Sequence, residues 1–239
     1  MLSDNDIHRV LVVTAHPDDV DFGAAGSVAR FTDRGAEVTY CVVTDGDAGG
    51  FDRELDNGGM AGLRRAEQTA AAKIVGVTDV RFLGYGDGTM VPGLDLRRDI
   101  TRVIRQVRPD LVITHSPERN YRFISPSHPD HRAVGASALD AVYPDARNPY
   151  AFPPLLLDEG LEAWTVREVW LFGGPTPDHH VDVTDTFDRK LAALRAHVSQ
   201  TGHQDGFEDF LRIRFSAFAV EAGLGEGRYA EAFQRVPTA

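Results

Sequence analysis

Two short segments, far apart in the chain, hold the residue types that activate water. The first reads Ala15-His16-Pro17-Asp18-Asp19-Val20-Asp21, and the second Ser127-His128-Pro129-Asp130-His131-Arg132-Ala133-Val134-Gly135. Either alone serves an ordinary structural purpose. Asp and Pro favour turns and helix starts, and Ser127 with Pro129 reads as a helix cap and first turn. Together they ask for more. Asp18, Asp19 and Asp21 crowded at a crevice would repel one another unless a cation or protons intervened. His128 and His131 are spaced to share one side of a helix's first turn. Two histidines and a carboxylate, with water at the open position, form a zinc arrangement used for hydrolysis. A spare carboxylate can then take a proton from water, and a spare histidine can stabilise an oxyanion or protonate a leaving amine. The chemistry indicated is metal-assisted hydrolysis, most simply of an amide or an ester.

The elements that must bring these segments together follow from the apolar pattern. Val10–Ala15, Glu37–Thr44, Val80–Leu83 and Leu111–Thr114 read as buried strands, with fifth and sixth strands at Glu168–Phe172 and Val181–Val183. Helices are expected over Ala24–Arg34, Leu63–Val75, Leu94–Val107, Asp130–Val142 and Thr186–Gln200, with a glycine-rich irregular stretch from Asp45 to Gly62. The last forty residues carry no clear signal. Strand alternating with helix predicts an α/β fold: a Rossmann-like three-layer sandwich, its sheet mostly parallel, in the order 3-2-1-4-5, with helices on both faces. In that order, ligands sit at the carboxyl ends of strands 1 and 4, where the chain reverses direction. Those two ends carry the two motifs. The whole of 1–239 is expected to form one domain, since no linker or repeat interrupts it.

Composition narrows the partners. With 25 Lys+Arg against 36 Asp+Glu the formal net charge is -11, which argues against a nucleic-acid or anionic-membrane binder. One cysteine, Cys41, can form neither an internal disulfide nor a thiolate zinc site, so any metal is held by nitrogen and oxygen. No apolar run reaches membrane-spanning length, and the acidic start lacks signal-peptide character, so a cytoplasmic protein without integral membrane association is expected. Association with copies of itself is compatible with this composition.

Two readings from other classes compete. Gly23-Ala24-Ala25-Gly26 follows a strand and opens a helix, as in a dinucleotide-binding oxidoreductase, with Asp45 near the place of a ribose-binding carboxylate. Asp21 stands where the first glycine of that fingerprint belongs, and three carboxylates would face the pyrophosphate. A metal-dependent sugar-binding module without turnover is the other.

The segments AHPDDVDFGAAG and SHPDHRAVG, with echoes in TDGDAGG, FLGYGDG and LAALRAHVSQ, resemble the PIG-L/LmbE family of zinc-dependent deacetylases, and the resemblance runs from about Val10 to Gln200. That family includes N-acetylglucosaminyl-phosphatidylinositol deacetylase and the deacetylase and amidase of mycothiol metabolism. The resemblance implies that His16, Asp19 and His131 bind Zn2+, with Fe2+ fitting similar ligands. It makes Asp18 the general base for a metal-activated water, and His128 the residue that polarises the oxyanion. Arg64 and Asp87 match substrate-contacting positions. The implied substrate is an N-acylated, most simply N-acetylated, amino-sugar conjugate. A thiol-glycoside amidase and a tailoring deacetylase of a glycosylated natural product share the same chemistry. The chain departs from the family at Val20, where glutamate is frequent, at Pro126, where tyrosine is frequent, and in the loop Ser116–Ser127, which bears on the substrate pocket rather than on the chemistry.

Overall fold

A computed structural model describes residues 1–51 and 55–238. β1 (Arg9–Thr14) leads into a one-turn helix α1 (Asp19–Gly23), then α2 (Ala25–Asp33) and β2 (Glu37–Thr44). Next come α3 (Asn57–Ile74), β3 (Asp79–Tyr85), α4 (Leu94–Val107), β4 (Leu111–His115) and α5 (Pro129–Asp140). The remainder holds α6 (Pro153–Leu157), β5 (Glu168–Phe172), β6 (His179–Asp182), α7 (Phe187–Arg195), α8 (Val198–Thr201), α9 (Phe207–Glu221) and β7 (Ala230–Pro237). The seven-stranded sheet runs β3-β2-β1-β4-β5-β7-β6. Its first five strands are parallel and in the expected order, and β7 adds to β5 antiparallel, with β6 antiparallel beyond it.

The strands are apolar on both sides because helices cover both. Along β1, Val10 and Val12 face one cluster with α2, α3 and α7, while Leu11 and Val13 face the other with α4 and α5. Cys41 lies in β2 on the second side, where burial pushes its thiol up to about 12 and leaves it inert.

Several boundaries differ from the sequence expectation for identifiable reasons. α3 begins at Asn57 rather than Leu63, because the Asp56 carboxylate accepts the Gly59 N–H at 2.7 Å and caps a glycine-rich first turn. Residues 52–54 of that stretch lie outside the described residues. The helix expected over Thr186–Gln200 breaks at His197, whose non-helical backbone swings its ring inward. β7 and α9 form from the last forty residues. The carboxylate of Glu231, at the start of β7, accepts the N–H groups of Gly26 and Ser27 at 2.9 and 2.8 Å. It also pairs with Lys190 Nζ at 2.6 Å, both side chains fully buried. The helix start that a pyrophosphate would need is thereby filled by the protein's own carboxylate, which overturns the dinucleotide reading.

β1 and β4 are adjacent and parallel, pairing from Val10↔Leu111 to Val13↔Thr114, so both motifs emerge side by side at the carboxyl end of the parallel strands. α5 then packs against the end of β4 at Gly135, where an added Cβ would stand 2.3 Å from the His115 carbonyl oxygen. Only glycine permits that approach. Gly135→Ala should therefore displace the helix that carries His131 and lower the unfolding free energy in urea by about 1–3 kcal/mol. A variant within about 0.5 kcal/mol of the parent would show that α5 shifts freely.

Candidate active site

The loop after β1 and the start of α5 place three groups around one point. His16 Nδ1 lies 3.2 Å from His131 Nε2 and 3.4 Å from Asp19 Oδ2, and His131 Nε2 lies 3.0 Å from Asp19 Oδ1. The tautomers follow from the partners on the far side of each ring. His16 Nε2 donates to Asp87 Oδ1 at 2.9 Å and faces Asp130 Oδ2 at 3.2 Å. His131 Nδ1 donates to the Pro126 carbonyl at 3.1 Å. Each imidazole has thus committed one N–H outward, and two lone pairs meet at the centre. Such an arrangement needs a proton or a cation between them. Burial opposes a charge on His16, yet Asp19, Asp130 and Asp87 raise its pKa to about 12. The surroundings favour positive charge at this point, and the nitrogen and oxygen donors fit a divalent metal.

The remaining groups ring this centre. Asp18 sits at φ 102°, a left-handed conformation rare outside glycine, immediately before α1. Its N–H donates to Gln68 Oε1 at 2.8 Å, and its Oδ2 accepts from Arg64 Nη2 at 3.1 Å. Burial pushes the Asp18 carboxyl up to about 6, against the pull of Arg64 and with the push of neighbouring Asp19. His128 Nδ1 accepts the Asp130 N–H at 3.2 Å, so its N–H is on Nε2, and burial with His16 and His131 nearby lowers its pKa and keeps the ring neutral. Its ring is 5.0 Å from that of His16 and 5.3 Å from that of His131.

All seven residues singled out in the sequence meet here, with Arg64 and Asp87 joined to the cluster through side-chain contacts. Arg64 is 4% exposed and also donates to the carbonyls of Pro17 and Gly46 at 2.5 and 3.0 Å, which makes it a brace for the first motif. Five further residues belong to the cluster. His115 ends β4 with its ring stacked on His131 at 4.2 Å and Nε2 3.2 Å from Asp19 Oδ2. Burial and the adjacent His131 drive His115 down to about 4, so it is neutral. Asp130 is fully buried and accepts the N–H groups of Gly88 and Met90 at 2.7 and 3.2 Å, tying the loop after β3 to His16. Asp21 Oδ2 accepts from Gln68 Nε2 and His197 Nε2, both at 2.8 Å. Gln68 and His197 gave no local signal, because each matters only through a partner distant in sequence.

The chain His197–Asp21–Gln68–Asp18 supports the strained backbone of Asp18 from behind. Burial opposes a charge on His197, but Asp21 raises its pKa above the ordinary 6.5. A raised folded-state pKa gives stability that is full below about 6.5 and fades as pH rises through the folded value. His197→Ala leaves the Asp21 carboxylate buried without its donor, and should cost about 3 kcal/mol in urea unfolding at pH 6, less at pH 9. A loss under about 1 kcal/mol at pH 6 would contradict this role.

The chain is 33% identical over 237 residues to diacetylchitobiose deacetylase of Thermococcus kodakarensis, covering 98% of this chain and 85% of that one. The structure resembles N,N'-diacetylchitobiose deacetylase from Pyrococcus horikoshii, solved with an inhibitor, with TM-score 0.89, 32% identity and coverage of 98% and 85%. It also resembles GalB, the 4-carboxy-2-hydroxymuconate hydratase of Pseudomonas putida KT2440, with TM-score 0.79, 25% identity and 95% of each chain covered. The sequence profile of the PIG-L family, described as GlcNAc-PI de-N-acetylase, matches residues 11–142. The chain belongs to the PIG-L family.

Proposed function

We propose that this protein is a zinc-dependent N-deacetylase that hydrolyses the N-acyl amide, most simply N-acetyl, of an amino-sugar conjugate. The observation that carries the reading is the meeting of His16 Nδ1, Asp19 and His131 Nε2 beside an Asp18 carboxyl whose pKa is raised to about 6. The names of the diacetylchitobiose deacetylases support the choice of an N-acetylated amino sugar.

His16, Asp19 and His131 would hold the ion, and zinc there would supply Lewis-acid polarisation of the amide carbonyl and make water easier to deprotonate. Asp18 accepts the proton from the attacking water. Its raised pKa suits it to give that proton back to the departing amine nitrogen. Arg64 holds Oδ2 of Asp18, and among the described residues no hydrogen bond reaches Oδ1, which is left to face the reacting atoms. The His128 Nε2–H donates to the carbonyl oxygen as negative charge develops on it. Arg64 and Asp87 act first by fixing Asp18 and His16, and touch substrate only at their small exposed edges. We further propose that 1–239 works as one domain, since β7 from the end of the chain completes the sheet that β1 begins. Among the described residues no helix is long and apolar enough to cross a membrane.

The test is amine release from N,N'-diacetylchitobiose and N-acetylglucosamine, with metal content measured on the same samples. Asp18→Asn should lower kcat by about 100- to 10,000-fold while zinc stays bound. His131→Ala should lose the metal as well as the activity. Full turnover by Asp18→Asn, or unchanged zinc in His131→Ala, would refute these roles. The hydratase relative makes the absence of amine release from every amide, with metal bound, the outcome that overturns the deacetylase reading itself.

A further inference from the structure

Two side chains of α3, Arg64 and Gln68, stand one helical turn apart and reach the same peptide group. Arg64 Nη2 donates to the Pro17 carbonyl at 2.5 Å, and the Asp18 N–H donates to Gln68 Oε1 at 2.8 Å. These are the two ends of the peptide that joins Pro17 to Asp18. Both side chains are buried, Gln68 completely. On the far side of Asp18 the backbone is already fixed, because its carbonyl accepts the N–H groups of Asp21 and Phe22 at 2.9 and 3.0 Å. Only the clamp keeps the peptide before Asp18 from turning on its own.

Turning would relieve strain. Asp18 holds φ at 102°, and a half-turn of the peptide brings φ to about −78°, inside the broadly allowed region. A positive φ at a non-glycine residue disfavours the observed form by about 5- to 150-fold. The turned peptide would point its N–H at the Arg64 guanidinium and its carbonyl at the Gln68 oxygen. Donor would then face donor, and acceptor would face acceptor. The clamp thus holds the strained form by making the relaxed one repulsive.

Gln68 must present its oxygen for this to work, and Asp21 ensures that it does. Asp21 Oδ2 accepts from Gln68 Nε2 and from His197 Nε2, both at 2.8 Å. A carboxylate accepts and does not donate, so the amide turns its NH2 towards Asp21 and its oxygen towards Asp18.

We propose that Gln68 is a positioning residue for the hydrolytic reaction, locking the Pro17–Asp18 peptide in the orientation that aims the Asp18 carboxyl at the reacting atoms. The inference rests on the reading of Asp18 as the base. Turning the peptide moves the Asp18 nitrogen and tilts the Cα–Cβ bond with it. A misplacement of about 1 Å can cost about 100-fold in rate. The side-chain bonds of Gln68 go to Asp18 and Asp21 rather than to His16, Asp19 or His131, so the effect falls on kcat and not on the metal.

The test is the kinetics of amine release from N,N'-diacetylchitobiose by the zinc-loaded enzyme, with Gln68→Met made alone and in an Asp18→Asn background. Gln68→Met keeps the length of the side chain and removes both its acceptor and its donor. It should lower kcat by about 10- to 100-fold while KM stays within about threefold and zinc content is unchanged. In the Asp18→Asn background the same substitution should cost no more than about threefold, because the group it positions is gone. A crystal structure of the Gln68→Met protein should show the peptide turned, with φ of Asp18 negative. Gln68→Ala is the second variant should Gln68→Met not fold. The space it leaves admits water, which donates as readily as it accepts and does not oppose the turn, so kcat should fall by at least about fivefold. A kcat within about threefold of the parent in a folded variant, a loss confined to KM, or losses that multiply in the double variant overturns the proposal. Failure of the parent reading looks different: the native enzyme releases no amine from any amide, while the peptide still turns in crystals of the Gln68→Met protein.

Discussion

Everything at the carboxyl end of the central strands depends on two imidazole lone pairs held face to face. His16 Nδ1 and His131 Nε2 stand 3.2 Å apart because each ring's other nitrogen is committed to a fixed acceptor. Asp19 completes the triangle. Without positive charge the arrangement is repulsive; with it, the same atoms form a preorganised cage whose ligands need not move. The carboxylates around His16 are therefore a means of concentrating negative potential on one point.

Holding that geometry requires backbone rigidity from three directions. β1 and β4 bring the motifs to one end of the sheet through their parallel pairing, and Gly135 lets α5 sit against β4 closely enough for His131 to reach His16. Asp130 joins the loop after β3, binding two of its N–H groups while facing His16. Behind Asp18, the line Gln68–Asp21–His197 and the brace of Arg64 keep a non-glycine residue at positive φ. Strain of this kind persists only where several contacts over-determine it.

The end of the chain serves the site in two ways. Through Glu231 and Lys190, β7 ties the start of α2 to α7 in the buried interior. α9 places Phe210, Phe215 and Phe218 in the wall of the cleft that Asp18 and Asp19 also line. The clustered histidines and carboxylates thus come from the first part of the chain, and much of the cleft wall beside them comes from the last.

The amino-acid sequence alone determined the strand order of the parallel half and marked seven residues that the fold brings together. Apolar β-branched runs alternating with capped helices leave few ways to wind a parallel sheet, and motif residues such as His16, Asp19 and His131 sit close to the strand ends that wind it. The span of α4 was legible to the residue because Gly93 and Pro109 punctuate it. Only the tertiary structure decided the rest. Gln68, His197 and Glu231 look unremarkable in one dimension, since their hydrogen bonds go to residues far along the chain. The Rossmann-type glycines near Gly26 were ambiguous until the helix start proved to be filled by Glu231. The cleft is likewise a property of assembly, because its phenylalanines come from four separate parts of the chain and become one surface only when the sheet and α9 pack. Local patterns encode what neighbouring residues do to each other; burial, which makes the partners of a polar group decide its protonation, exists only in three dimensions.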